Sequence, residues 1–177
     1  MTDEVPAVPQ QPSRSRTMAL ASIATLLALL HFGGPGGEGY KHKPYRDVGG
    51  VWTACGGLTG PDIHPGHEYS DAECTQLETA FAVKMAAHMG PCTPELGLTQ
   101  RQWIAWGHWS WNIGAGGFCK SRAAQLLWEN KQQEACAAMM DYHRAGGRDC
   151  RIRSNGCPGL IVRRRYEIKL CQLANPT

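Results

Sequence analysis

The sequence has no strong excess of charge of either sign and no closely spaced cysteine pair. Its formal net charge is +3 over 177 residues, which gives little support to a nucleic-acid partner, because nucleic acids are bound by strongly basic surfaces. Zinc sites are typically built on Cys-x-x-Cys pairs, and no such pair occurs. His64 and His67 have the spacing of ligands, but they lie beside Pro61 and Pro65, where we expect a loop. We therefore expect no metal, no cofactor and no nucleic acid.

Cysteine is absent from the first 54 residues, so none lies in the apolar segment that precedes the rest of the chain. The eight cysteines are Cys55, Cys74, Cys92, Cys119, Cys136, Cys150, Cys157 and Cys171. Dispersed cysteines in even number predict disulfides and hence an oxidising compartment such as the periplasm. The pairing cannot be deduced, but the short loop from Cys150 to Cys157 is the pair we most expect. The alternative is free buried thiols that pack as small hydrophobic side chains.

The apolar segment, residues 17–32, contains no Asp, Glu, Lys or Arg. It has 16 residues where a spanning helix usually needs about 20, and seven of them are Ala, Ser or Thr, which favour insertion little. Residues 1–16 are polar, rich in proline and end in Arg14 and Arg16, so we expect a disordered cytoplasmic tail before a weak signal anchor. No clear small-residue cleavage site follows, although Gly33 and Gly34 leave cleavage as an alternative.

Three side chains that follow the glycine-rich residues 33–37 have chemistry suited to a glycosidase. Glu38 is followed after eight residues by Asp47, and Asp47 after five residues by Thr53. Hydrolysis of a glycosidic bond needs one protonated acid for the leaving oxygen and one ionised acid that activates water or stabilises positive charge on the sugar. We expect Glu38 to be the donor, and Asp47 with the Thr53 hydroxyl to orient the water. Two carboxylates taken at random from a sequence would instead be solvated surface charges. The residues around Glu38 and Asp47 therefore decide whether this pair is assigned to catalysis.

The neighbourhood resembles the phage lysozymes of glycoside hydrolase family 24, whose signature is Glu, eight residues, Asp, five residues, Thr. The supporting positions are Gly39, Tyr45, Gly49, Gly56, Gly57 and Thr59. The resemblance extends over about residues 31–173. Residues 98–106 and 111–118 resemble the central helix of the family and the turn after it, and residues 145–150 and 159–171 resemble its C-terminal helix. Leu58 departs from the pattern, since many members have a histidine there, and this puts a local contact in doubt.

The resemblance implies an α+β, lysozyme-like fold with a mostly helical lobe and a small β-hairpin lobe over roughly residues 45–59. The catalytic domain would span residues 33–177. It also implies an endolysin that hydrolyses the β-1,4 bonds between N-acetylmuramic acid and N-acetylglucosamine in peptidoglycan and so lyses the host cell. Two alternatives stay open: a lytic transglycosylase, which uses one Glu and no water, and a secreted, disulfide-stabilised peptidoglycan-binding module without catalysis.

Candidate substrate-binding residues also come from this resemblance. Trp111 and Asn112 match positions that line the saccharide cleft of the family, and Tyr45 lies two residues before Asp47. Trp52 is a weaker candidate, because sugar rings stack on aromatic faces and it adjoins Thr53. Most of the six tryptophans are expected in the core.

Capping residues predict where three helices begin. Ser70 is a candidate N-cap for a helix through Ala87, Thr99 for the helix bearing Trp103, and Ser121 for a helix through Trp128. This pattern of short helices is consistent with the expected fold but would not single it out.

The region from Arg144 to Lys169 has eight basic residues and only two acidic ones. It predicts either a surface for an anionic polymer or a solvated helix face formed by residues 163–165.

The apolar segment and the catalytic glutamate form one hypothesis. The resemblance implies that the glutamate lies at the end of an N-terminal helix packed on the domain, and only residues 17–32 are available to form that helix. We therefore expect a signal-anchor-release endolysin, a monomer held uncleaved and inactive at the inner membrane. Depolarisation would release the segment, which would then pack on the domain, so that residues 17–37 join it in the periplasm.

Overall fold

The computed structural model describes residues 25–28, 41–47, 49–94 and 98–172. Its strands are β1 (Lys41–Arg46), β2 (Trp52–Cys55), β3 (Leu58–Thr59), β4 (Arg144–Ala145) and β5 (Arg148–Asp149). Its α-helices are α1 (Asp71–Met89), α2 (Gln100–Ile113), α3 (Ala115–Cys119), α4 (Arg122–Trp128), α5 (Gln132–Ala138) and α6 (Pro158–Gln172). The predicted tail, residues 1–16, lies outside the described residues, as does Glu38. Within these described ranges, every helix is too short or too polar to cross a membrane.

The hairpin lobe is an antiparallel sheet in the order β1–β2–β3. Tyr45 lies opposite Thr53, and Thr53 opposite Thr59. The turn between β2 and β3 needs left-handed backbone at Cys55 (φ 53°) and Gly57 (φ 84°), a conformation that glycine adopts without strain. The predicted hairpin is confirmed, and β1 begins four residues earlier than expected.

The three predicted helix starts are confirmed by their caps. Ser70 Oγ accepts the Glu73 N–H, and the Glu73 carboxylate accepts the Ser70 N–H at 2.8 Å, which forms a capping box. Thr99 and Gln102 form the same box at the start of α2. Ser121 Oγ accepts the Ala124 N–H at 3.0 Å. The first helix runs two residues further than predicted.

The core is organised around α2, whose residues 104–111 are all buried. Trp106 and Trp109 pack edge-to-face against each other and against Phe118. On its other side α2 lies along α6. Three of the six tryptophans are buried, whereas Trp128 is largely exposed and donates its indole N–H to the Cys92 carbonyl.

All eight cysteines are paired, so the alternative of free thiols is wrong. The expected Cys150–Cys157 bridge is confirmed. The other three are Cys55–Cys74, Cys92–Cys119 and Cys136–Cys171. They close loops of 19, 27 and 35 residues, for which the chain-entropy argument gives about 3–4 kcal/mol each. The first joins the hairpin lobe to α1, and the third joins α5 to α6.

Two expectations about the C-terminal region are wrong. Residues 145–150 are not part of the C-terminal helix but form the β4–β5 hairpin, because Gly146 and Gly147 take positive φ angles of 54° and 76° in its turn. Arg164 does not belong to a solvated face, since its side chain is completely buried between α6 and α2.

A short piece of the apolar segment packs on the domain. Residues 25–28 are helical, and Leu26 is 4% exposed and belongs to the hydrophobic core. It lies against Gly107 of α2, where a Cβ atom would stand 2.9 Å from Leu26 Cδ2. The absence of a side chain at residue 107 therefore makes the space that Leu26 fills.

Candidate active site

Asp47 follows β1 directly, and backbone groups of the β1–β2 turn hold its carboxylate. Oδ1 accepts the N–H groups of Gly49 and Val51, both at 2.8 Å. The Asp47 N–H donates to the Val51 carbonyl at 3.0 Å, and the Asp47 carbonyl accepts the Gly50 N–H at 2.9 Å. Because residue 49 is glycine, its backbone can lie close to the Asp47 carboxylate; a Cβ atom there would lie 3.3 Å from Oδ1. Oδ2 makes no hydrogen bond within the described ranges, so it is available to a further donor.

Thr53 lies on β2 beside this turn and is buried to 3% exposure. Its hydroxyl donates to the Val51 carbonyl at 3.1 Å, the same oxygen that accepts the Asp47 N–H. Because the hydroxyl proton is used in this way, the lone pairs of Thr53 Oγ1 remain as acceptors. Asp47 and Thr53, which the sequence predicts to act together, are thus both fixed to the peptide groups of Val51. The third predicted residue, Glu38, lies outside the described residues.

Two basic side chains lie over aromatic rings of the hairpin. Lys41 Nζ is 4.1 Å from the centroid of the Tyr45 ring, and the Arg46 guanidinium is 4.4 Å from that of Trp52. One face of each ring is therefore covered by a cation. The roles of Tyr45 and Trp52 toward a saccharide stay predictions.

The turn after β2 is anchored to the helical lobe through the backbone N–H and carbonyl of one residue, Gly56. The Gly56 N–H donates to Glu78 Oε1 of α1 at 2.7 Å, and the Gly56 carbonyl accepts the Trp111 indole N–H of α2 at 3.0 Å. Trp111 is 8% exposed and packs edge-to-face on Phe81. Sequence reasoning missed Glu78, because one glutamate in an amphipathic helix carries no signal of burial. A saccharide-binding role for Trp111 stays a prediction, and only the small exposed part of its side chain could contact a sugar.

Asn112 is held by a buried polar chain that links α2 to α6. Asn112 Oδ1 accepts from Arg164, whose guanidinium also donates to Glu167. Glu167 in turn accepts the Nδ1–H of His108 at 2.7 Å. Burial lowers the pKa of Arg164, and the Glu167 charge opposes that shift. Sequence reasoning missed this chain as well; its one signal is the i, i+3 spacing of Arg164 and Glu167 in a helix.

His64 and His67 lie in the loop before α1, where the sequence predicts them. The His67 ring contacts Glu73 at 2.9 Å, and His42 contacts Asp71 at 2.9 Å. Over the part of the chain that the structure describes, no three His, Cys, Asp or Glu side chains are grouped as metal ligands. Asp47 and Thr53 bring a carboxylate and a hydroxyl group to the candidate site.

Comparisons with known proteins find relatives over most of the chain. Residues 36–167 match the family model for phage lysozyme. The chain is 32% identical over 157 residues to the SAR-endolysin of Bacteriophage PS119, covering 86% of this chain and 89% of that protein. It is 30% identical over 166 residues to the SAR-endolysin of Enterobacteria phage P21, covering 90% and 96%.

Solved structures share the fold at lower identity. The active form of the P1 phage endolysin Lyz superposes with a TM-score of 0.67 at 18% identity, covering 88% of this chain and 97% of that one. The muramidase domain of SpmX from Asticaccaulis excentricus gives a TM-score of 0.65 at 20% identity, covering 95% and 100%. The predicted lysozyme-like α+β fold is confirmed.

Proposed function

The chain belongs to the phage lysozyme family and is a glycoside hydrolase that lyses peptidoglycan, and from this premise we propose that it is an endolysin cutting the β-1,4 bonds between N-acetylmuramic acid and N-acetylglucosamine. The observation that carries the proposal is the shared anchoring of Asp47 and Thr53 on Val51 at the end of the hairpin. That arrangement fixes a carboxylate and a hydroxyl acceptor to the backbone of one residue, which supports a site that orients water.

In the proposed reaction Glu38 gives its proton to the glycosidic oxygen, and the bond from that oxygen to the anomeric carbon breaks. A water molecule donates one hydrogen bond to Asp47 Oδ2 and one to Thr53 Oγ1, which leaves a lone pair for the anomeric carbon. Asp47 takes the proton that the water loses as the new bond forms. Asp47 Oδ1 and the Thr53 hydroxyl proton are held by backbone groups, so neither partner has to reorganise during the step.

Three variants test these assignments on purified sacculi. Glu38→Gln, Asp47→Asn and Thr53→Ala should each reduce hydrolysis by at least about 10²-fold, the lower range for loss of an acid–base or positioning group. Mass spectrometry of the released muropeptides should show reducing ends. Anhydro ends would favour the transglycosylase alternative, and undiminished lysis by Glu38→Gln would favour the binding module.

The proposal includes a signal-anchor-release mechanism in which a monomer is tethered at the inner membrane by residues 17–32 and then freed into the periplasm. Such a mechanism requires a surface on the domain that receives the freed segment. The burial of Leu26 against Gly107 supports this requirement. The similarity to SAR-endolysins over most of the chain also supports it.

Cell fractionation tests the release. Full-length protein should move from the membrane to the soluble fraction when the membrane potential is dissipated, and light scattering of that species should give one chain. If the soluble fraction holds only a shortened chain, the uncleaved mechanism is wrong.

A further inference from the structure

We propose that Glu78 is a positioning residue of the active site: its buried carboxylate fixes the Gly56 peptide and, through it, the strand that carries Thr53. This inference rests on the proposed function, in which Thr53 and Asp47 orient the attacking water. Glu78 touches neither substrate nor water in this scheme and acts through the backbone of the hairpin.

The first observation is the burial of an acidic side chain in the middle of a long helix. Glu78 is 1% exposed, although burying a carboxyl group is unfavourable unless it is hydrogen-bonded. Its Oε1 accepts the Gly56 N–H at 2.7 Å across a separation of 22 residues. A buried carboxylate at this place therefore makes a long-range contact to the hairpin lobe.

The second observation is that Gly56 is also held through its carbonyl. The Gly56 carbonyl accepts the Trp111 indole N–H at 3.0 Å, so α1 binds the peptide group before the Gly56 Cα atom and α2 binds the peptide group after it. Both hydrogen bonds are directional, and together they fix the orientation of the backbone on the two sides of Gly56. Phe81, one helical turn after Glu78, packs on the Trp111 ring and completes the support.

The third observation is the position of Gly56 relative to Thr53. Gly56 follows Cys55, the last residue of β2, and Thr53 lies two residues before Cys55 on the same strand. The Cys55–Cys74 disulfide also ties this strand end to α1, with Cys74 one helical turn before Glu78. The disulfide limits the distance between strand and helix, whereas the hydrogen bonds set the strand's orientation and hence the direction of the Thr53 hydroxyl.

A purely structural role would lower stability without changing the chemistry of the folded enzyme. A positioning role predicts a loss in kcat with little change in KM, because the displaced group acts on the reacting water and not on substrate binding. Displacement of a reacting group by about 1 Å costs about 10²-fold in rate. Glu78→Leu should therefore lower kcat about 10- to 100-fold at temperatures where the variant is folded.

The experiment compares full-length enzymes on soluble labelled peptidoglycan fragments, with unfolding followed separately. Glu78→Gln keeps an acceptor oxygen at the same position and should recover most of the kcat that Glu78→Leu loses. Met139→Ala is the matched control, because Met139 is fully buried in the turn after α5 and its truncation lowers stability without removing a hydrogen bond of Gly56. Its kcat should stay at the wild-type value while folded.

If Glu78→Leu does not fold, Trp111→Phe removes the indole N–H that the Gly56 carbonyl accepts and should lower kcat. The comparison there is of kcat alone, because Trp111 is also a candidate saccharide-binding residue whose loss would change KM. Wild-type kcat in folded Glu78→Leu would overturn the inference, as would equal losses of kcat in Glu78→Leu and Met139→Ala. A wild-type kcat in Asp47→Asn would instead overturn the proposed function, so the two failures are distinguishable.

Discussion

The contact between Leu26 and Gly107 gives a prediction whose size follows from the packing. Leu26 is almost completely buried, and truncation of a buried leucine to alanine costs about 2–5 kcal/mol, so Leu26→Ala should lower the free energy of unfolding by that amount. For a chain of this length each kcal/mol lowers Tm by about 2–4 °C. The melting temperature should therefore fall by about 4–20 °C.

The reciprocal change, Gly107→Ala, has two opposed effects. Replacing glycine by alanine inside a helix stabilises it by about 1 kcal/mol. The new Cβ would stand 2.9 Å from Leu26 Cδ2, and overpacking of a core costs about 1–3 kcal/mol, less where a flexible side-chain end can move. With Leu26 present, the two effects should nearly cancel. In the Leu26→Ala background the clash is gone, and Gly107→Ala should then stabilise the protein by about 1 kcal/mol.

The assay is a double-mutant cycle on full-length protein under non-reducing conditions, with urea unfolding followed by tryptophan fluorescence. A coupling of about 1 kcal/mol between the two positions is expected, which is the difference between those two effects and lies in the range for side chains in direct contact. If Gly107→Ala changes stability equally with and without Leu26, the segment does not pack on α2, and the packing support for the release mechanism is lost.

Three further outcomes follow from the structure. Arg164→Met should lower the free energy of unfolding by about 3–5 kcal/mol in urea unfolding, because it leaves Glu167 buried with only His108, and the additional change Glu167→Leu should restore part of the loss. The capping hydrogen bond from Ser70 holds the pKa of Glu73 at about 2. The folded-state pKa is thus below that of the unfolded chain, so the contribution of Glu73 is complete above about pH 4.5 and is lost as pH falls toward 2. Melting curves across that range should show the stability difference between wild type and Glu73→Ala disappearing in acid. Reduction of the disulfides should lower Tm, and Cys136→Ser with Cys171→Ser should lower it more than Cys150→Ser with Cys157→Ser, since the first pair closes 35 residues and the second closes 7.

Local sequence signals predicted the features whose causes are local. Ser70, Thr99 and Ser121 mark helix starts because a hydroxyl followed by a suitable residue satisfies free N–H groups within one turn. The Cys150–Cys157 bridge could be predicted for the same reason, since only a short loop lies between the two cysteines. The longer bridges depend on how helices pack, which spacing along the chain does not encode.

The features that sequence reasoning missed depend on contacts between distant residues. Arg164 stands in a run of three arginines and so has the pattern of a solvated face, yet the buried Glu167 and Asn112 hold it inside. The burial of Glu78 was missed for the same reason, because the Gly56 N–H that it accepts lies 22 residues away in the sequence. At the candidate site, the spacing of Asp47 and Thr53 could be predicted from a family resemblance, whereas their common attachment to Val51 could not.

Both faces of α2 are used by the parts of the molecule that the function requires. Gly107 and Trp111 are one turn apart and share a face, where the first receives Leu26 and the second holds the Gly56 peptide. His108 and Asn112, also one turn apart, bind α6 through Glu167 and Arg164. Because α6 fixes one face of this buried helix, the helix presents the other face in a single orientation to the apolar segment and to the hairpin lobe. The packing of Leu26 and the orientation of the strand that carries Thr53 therefore depend on the same rigid element. In the proposed release mechanism, a freed segment that packs here would complete the core that supports the hairpin bearing Asp47 and Thr53.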